Sequence, residues 1–202
     1  SFCIMDNNTD VWQQYYQKAL SRPHSTRTEL AVSLNASGLH VAVDCGCGTG
    51  SDIAFLSARG YQVHGFDVNS DSVSLCRERF AGDVQVSLSQ AAFEDYAYPR
   101  SGVMIAHSSL FFADPARFAA TWQAMASSLA GGGAFSGDFM GMDDSWATGY
   151  RTATTPLTRQ QVTDLFAGFD IIQLHECNEQ GITALGRTKQ WHIFSVVAVK
   201  RA

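Results

Sequence analysis

Ten consecutive residues restrict this chain more than any others: Val41-Ala42-Val43-Asp44-Cys45-Gly46-Cys47-Gly48-Thr49-Gly50. A short apolar run, His40 to Asp44, reads as a strand. It runs into glycines at alternate positions, and Ser51 to Ala58 then reads as a helix ended by Gly60. Glycine in such a turn permits tight backbone geometry and lets N–H groups approach a ligand closely. A strand that empties into a helix this way belongs to a parallel sheet with crossover helices.

The rest of the chain continues that alternation. Helices are expected over Asp10 to Leu20, Ser25 to Asn35 and Ser70 to Phe80, and from Thr158 to Phe166. Asp114-Pro115 is a good helix start, an N-cap followed by proline. That helix should run to about Leu129 and stop at Gly131-Gly132-Gly133. Strands are expected at Tyr61 to Phe66, Val84 to Leu88, Val103 to Ala106 and Ala134 to Phe139. The last two, Phe169 to Glu176 and Trp191 to Lys200, have no helix between them, only the polar stretch Cys177 to Gln190. They can pair as an antiparallel hairpin at one end of the sheet. The fold class expected is α/β: a doubly wound, mostly parallel seven-stranded sheet with a final antiparallel strand.

Composition narrows the partners. The 202 residues suit one compact domain, and 46% hydrophobic residues supply a full core. A net charge of −5 without basic runs argues against nonspecific nucleic-acid binding or a polybasic membrane contact. The five cysteines include no CxxC pair, which reads as a reducing compartment and not a disulfide framework. Ser1 to Asp10 has no signal-peptide pattern, and Ile193 to Val199 is too short for a membrane helix. A cytoplasmic monomer or homodimer is the expectation.

Spacing then selects the ligand. Asp67 lies 21 residues beyond Gly46, at the end of the second strand. A carboxylate there accepts hydrogen bonds from both hydroxyls of a ribose. The dinucleotide fingerprint is G-x-G-x-x-G, but here the third glycine comes one residue early and Ser51 stands where that fingerprint has glycine. Asp44, two residues before Gly46, would repel a pyrophosphate and attract an ammonium. The pattern suits a nucleoside carrying a zwitterionic amino-acid tail.

D-C-G-C-G-T-G followed by G-F-D-V resembles motif I and the acidic loop of class I S-adenosylmethionine-dependent methyltransferases. The resemblance spans about Leu39 to Lys200 and implies a Rossmann-like fold under an N-terminal helical cap, residues 1–38, with 39–202 as the cofactor-binding domain. It implies S-adenosyl-L-methionine as cofactor and a small-molecule methyl acceptor, with no nucleic acid, membrane or metal. Asp44, Gly46, Cys47 and Gly50 would shape the methionine-binding turn, Asp67 would hold the ribose and Val68 would pack on the adenine. Ala92 and Phe93 would cover the base's other edge. Ala106 and His107 would sit near the methionine end, with Tyr16 and Arg22 as candidates for its carboxylate. His107 is the candidate general base, or else a backbone contact alone. The chain departs from the family at Gln90, where many members carry an acid, and at Gly102-Val103, where many carry an aromatic-Asp pair. Its size and Trp-His-containing last strand resemble small bacterial methyltransferases of the tellurite-resistance-like group.

Other features divide between site and scaffold. Cys45 and Cys47 read as small apolar fillers of the turn. Asp138 can position a substrate or serve as a cap. Trp191 and His192 read as packing residues. The Gly-, Met- and aromatic-rich segment Phe139 to Tyr150 suits a lid, and Leu110-Phe111-Phe112 an apolar wall or core. The rivals to a transferase are a non-catalytic binder of S-adenosylmethionine or S-adenosylhomocysteine, and a nicotinamide-dependent oxidoreductase.

Overall fold

The computed structural model describes Gln14, Gln17, Lys18 and residues 20–202. The candidate Tyr16 lies outside the described residues, as does most of the expected first helix.

Alternating apolar residues build the sheet. β1 (Val41–Cys45) sends Ala42 to one face and Val43 to the other, and β4 (Ser101–Ala106) sends Val103 and Ile105 one way, Met104 and Ala106 the other. Both faces are covered, as a parallel sheet requires. On one face Ala42, Val103 and Ile105 meet α1 (Thr26–Leu34) through Ala31 and α2 (Ser51–Ala58) through Ile53 and Leu56. Cys76 joins them from α3 (Ser70–Arg79). On the other, Val43 and Met104 meet α4 (Phe118–Ser128) and α5 (Arg159–Leu165). Trp122 of α4 packs edge-on against Phe135, Phe139 and Phe166, with ring centroids 5.2–5.8 Å apart.

β2 (Gln62–Asp67), β3 (Val86–Gln90) and β5 (Leu129–Gly141) complete the parallel part. β7 (Phe169–Ile182) and β8 (Thr188–Lys200) form an antiparallel hairpin, and β8 docks antiparallel on β5. The order is β3-β2-β1-β4-β5-β8-β7, with the two-residue β6 (Pro156–Leu157) parallel to the end of β5. β6 makes eight strands where seven were expected. Strand order reverses between β1 and β4, and in open α/β sheets the crevice at that reversal is where ligands bind.

Three elements differ from expectation. Asp114 does cap a helix start, accepting from Ala116 N at 2.9 Å, but the turn it opens is a 3-10 turn, Pro115–Arg117, and the α-helix begins at Phe118. The glycine triplet lies inside β5. A Cβ on Gly133 would sit 2.9 Å from the Gly102 carbonyl oxygen, and one on Gly102 would meet Leu39 O at 2.2 Å, so these glycines allow close backbone approach at the sheet's end. β7 and β8 also run on through the polar stretch, pairing with each other to Ile182↔Thr188.

Candidate active site

The glycine turn leaves β1 with Gly46, Gly48 and Gly50 all at positive φ, +70°, +55° and +85°. Gly46 N and Cys47 N both donate to Phe66 O at 2.9 Å, tying the turn to the end of β2. A Cβ on Gly46 would lie 2.5 Å from Ser109 Cβ, and one on Gly50 2.6 Å from the Phe80 ring. Ser109 in turn donates its hydroxyl to Cys45 O at 2.8 Å. The ends of β1, β2 and β4 are therefore closed on one another around Gly46.

Two cavities flank that glycine. The first, about 470 Å³, is lined by Gly46, Asp67, Val68, Ala92 and Phe93 among the expected residues, and by Asn69, Glu94, Phe112 and residues 150–153. Asp67 is buried, its carboxylate accepting from Gly48 N at 3.0 Å and Asn69 N at 2.9 Å. Asn69 doubles as the N-cap of α3. Gln90 is spent on the backbone, donating to Val68 O at 3.2 Å. Phe111 is buried in the core while Phe112 faces the cavity, its ring 5.4 Å from that of Tyr150.

The second cavity, about 370 Å³, is lined by Arg22, Asp44, Gly46, Cys47 and His107, together with Arg27, Thr49, Asp52 and Ser108. Burial, with the nearby Asp52 charge, pushes the Asp44 carboxyl well above the ordinary range. Burial acts the same way on Asp52, but the neighbouring His107 ring and hydrogen bonds from Thr28 and Ser25 outweigh it, and the Asp52 carboxyl is held low. Thr28 Oγ1 donates to Asp52 at 2.7 Å and Ser25 N at 3.0 Å, locking the start of α1 to α2. His107 shares a 2.7 Å hydrogen bond with Ser136 through Nε2, and its buried Nδ1 lies 3.5 Å from Asp52 Oδ2.

Asp138 lines neither cavity. It is buried and accepts from both terminal nitrogens of Arg27 (2.8 and 3.1 Å), from Ser195 Oγ (2.6 Å) and from Ser108 N (2.8 Å). Against the penalty of burial, the Arg27 guanidinium keeps its carboxyl low. Ser108 has φ +51°, the single positive value outside glycine among the described residues. The Asp138 bond helps hold that strained conformation.

The expected residues thus separate into three groups. Asp67, Val68, Ala92 and Phe93 gather around the first cavity, Arg22, Asp44, Cys47 and His107 around the second, and Gly46 borders both. Gly50 and Ala106 reach neither. Gly50 packs against Phe80 behind the turn and Ala106 is fully buried in the core. Among the residues missed, Asn69 is readable as a helix cap just after Asp67-Val68. Arg27 and Asp52 carry no local signal, because their partners lie 111 and 24 residues away.

The lid-like segment continues past its expected end. Tyr150 to Ala153 line the first cavity, while Trp146 packs against the rings of Phe112, Tyr150 and Trp191. Asp144 and Lys189 form a buried ion pair, with the Lys189 ammonium 4.2 Å and 3.9 Å from the Trp146 and Trp191 ring centroids. Asp144 also accepts from His192 N at 3.0 Å, so the segment is anchored on the β8 end of the hairpin.

Residues 42–133 match the family model described as a methyltransferase domain. No curated protein matches the chain. Among solved structures, TehB from Haemophilus influenzae superposes with a TM-score of 0.74 at 15% identity, over 93% of this chain and 66% of that one. The N-methyltransferase NodS from Bradyrhizobium japonicum gives 0.65 at 13% identity, over 98% and 100%. A SAM-dependent methyltransferase from Methanosarcina mazei gives 0.61 at 16% identity, over 80% and 92%. The chain spans about two thirds of TehB and nearly the whole of the other two. The strand, glycine turn and helix of the site lie inside the segment that matches the methyltransferase-domain model, and the chain as a whole shares the fold of these methyltransferase structures.

Proposed function

We propose that the chain transfers a methyl group in line from S-adenosylmethionine to a small-molecule acceptor. The observation that carries this reading is the pair of cavities meeting at Gly46: one has a buried carboxylate, Asp67, and the other brings together a basic and an acidic side chain, Arg22 and Asp44. The residues fit the cofactor. Asp67 retains acceptor capacity for ribose hydroxyls beyond its two backbone bonds, and Val68, Ala92 and Phe93 make an apolar slot for a base. Arg22 and Asp44 suit a carboxylate and an ammonium. Gly50 and Ala106 support this wall from behind.

Bound S-adenosylmethionine supplies a methyl group activated by a sulfonium. The chain's task is to hold the acceptor atom in line at about 3 Å from that carbon and to exclude water. His107 offers the cavity no free nitrogen, because Nε2 is engaged by Ser136 and Nδ1 is buried beside Asp52. We therefore assign His107 to shaping the wall. The chemistry then suits an acceptor already nucleophilic near neutral pH, such as a thiolate, an amine or an oxyanion. The described residues show no cluster that could hold a metal and no helix able to cross a membrane. NodS, named an N-methyltransferase, offers a precedent on this fold.

The test is a screen of small acceptors with S-adenosylhomocysteine release as readout, on protein already shown by calorimetry to bind S-adenosylhomocysteine. Turnover on a small acceptor is expected. Tight binding without turnover on any acceptor leaves a non-catalytic binder instead.

A further inference from the structure

The sheet ends in a long open edge. β7 is the last strand of the order, 14 residues long, and its ladder partners all lie on β8. Proteins blunt such edges with lysine, proline, bulges or short strands, because an unpaired row of N–H and C=O groups invites another strand. β7 reads FDIIQLHECNEQGI, with no lysine and no proline, and its one irregularity falls between Ile171 and Gln173. From Gln173 to Ile182 the edge is unbroken. Four of the seven large apolar side chains exposed among the described residues gather here, Ile171, Ile172 and Ile182 on β7 and Leu185 in the turn after it.

We infer that β7 is an interaction surface for a second copy of this chain, the two β7 strands pairing antiparallel about a two-fold axis at Cys177. A two-fold axis normal to the sheet keeps every side chain on its own face, and directly opposed residues share a face. One residue must therefore meet its own copy on the axis, which leaves few registers. Centring on Glu176 or on Glu179 opposes two carboxylates, and like charges in that position are unfavourable. Centring on Asn178 spends His175 on the partner's Gly181. Centring on Cys177 sets His175 opposite the partner's Glu179, and two-fold symmetry makes that pair twice. The same register brings Ile172, at the irregularity, beside the partner's Ile182, so the exposed isoleucines at the two ends of the ladder cover each other. It also sets Glu176 opposite the partner's Asn178. Glu176 is already held by Arg159 at 3.0 Å and His192 at 2.8 Å, and Asn178 by Asp143 at 2.9 Å, so that face gains no unpaired charge.

The pairing closes on itself. Each copy uses its single β7 edge, so assembly stops at two and one sheet runs through both. Opposed residues in an antiparallel pair have Cα atoms about 4.5–5.5 Å apart, inside the span a disulfide bridges, so the axis carries its own reporter. Cys45, Cys47 and Cys76 are buried, which makes Cys177 the accessible thiol among the described residues. This surface lies apart from both cavities and is independent of the cofactor reading.

The experiment sediments the reduced 202-residue chain over a concentration series, then treats it with diamide and maps disulfides by peptide mass. A species of twice the chain mass is expected, with nothing larger. Diamide should link Cys177 to its own copy, taking up the two thiol hydrogens itself. Cys177→Ser should stay dimeric and lose the link. His175→Glu puts a like charge opposite the partner's Glu179 at two places and should raise the dimer Kd by about tenfold or more. Adding Glu179→Lys should restore the dimer. Both positions are exposed, so circular dichroism of these variants should match that of the parent. A chain that sediments as a monomer, a larger assembly, a dimer in which Cys177 fails to link, or a dimer that His175→Glu leaves intact overturns the proposal.

Discussion

Asp67, Asp44 and Asp138 are all buried carboxylates at or near the strand ends, and the structure gives each a different occupation. Asp67 faces a cavity with acceptor capacity to spare, so Asp67→Ala should weaken S-adenosylhomocysteine binding by about 1.5–3 kcal/mol, read by calorimetry. Asp44 starts from a carboxyl raised by burial. An incoming ammonium favours its ionised form, so affinity should fall as pH is lowered, and the fall should begin above the range in which an ordinary carboxyl near 3.9 takes up its proton. Asp44→Asn should bind more weakly and flatten that profile. Asp138 is instead held low, so its contribution to stability is present above the unfolded carboxyl's pKa and is lost as pH falls through the lower folded one. Asp138→Ala leaves Arg27 without its partner and frees the strained Ser108. It should cost about 3 kcal/mol, the low end for a broken buried pair because Arg27 is 29% exposed, and urea denaturation measures it. The places of Asp67 and Asp44 beside the glycine turn were legible because motif and spacing are local. The role of Asp138 was not, since all three partner segments are distant in sequence.

Among the elements, those buried on both faces were the most legible. β1 and β4 are built on apolar runs that meet helices on each side, and their observed limits, Val41–Cys45 and Ser101–Ala106, lie within two residues of those expected. β7 is an edge strand exposed along most of its length. No face of it has to be apolar, so its polar second half gave no strand signal. β3 shows the intermediate case: alternation is present, but its partner β2 sets the limits at Val86–Gln90, and Val84 is left 93% exposed. The α4 start failed for a different reason, because an N-cap followed by proline is equally compatible with a 3-10 turn. Helix α5 is short, and Thr158 and Gln161 close a reciprocal capping box at its start. Thr158→Ala should cost about 1 kcal/mol in chemical denaturation.

For the whole molecule, the topology explains why so remote a set of relatives shares one shape. A parallel sheet with its order reversed between β1 and β4 needs only strands apolar on both faces and short connections, which many sequences satisfy. Ligand linkage then acts on the entire fold. S-adenosylhomocysteine at 100 times its Kd should stabilise the chain by about 2.7 kcal/mol. For this size that raises Tm by about 5–10 °C, read by calorimetric scanning, while NAD should leave Tm unchanged. Gly46 gives the two chambers a common threshold, since it borders both and has no room for a side chain against Ser109. A nucleoside alone and an amino acid alone should therefore each occupy their own half weakly, and Gly46→Ala should penalise both fragments together. A site divided in this way recognises its ligand by the bridge between the halves, and so discriminates against anything that is only one half of it.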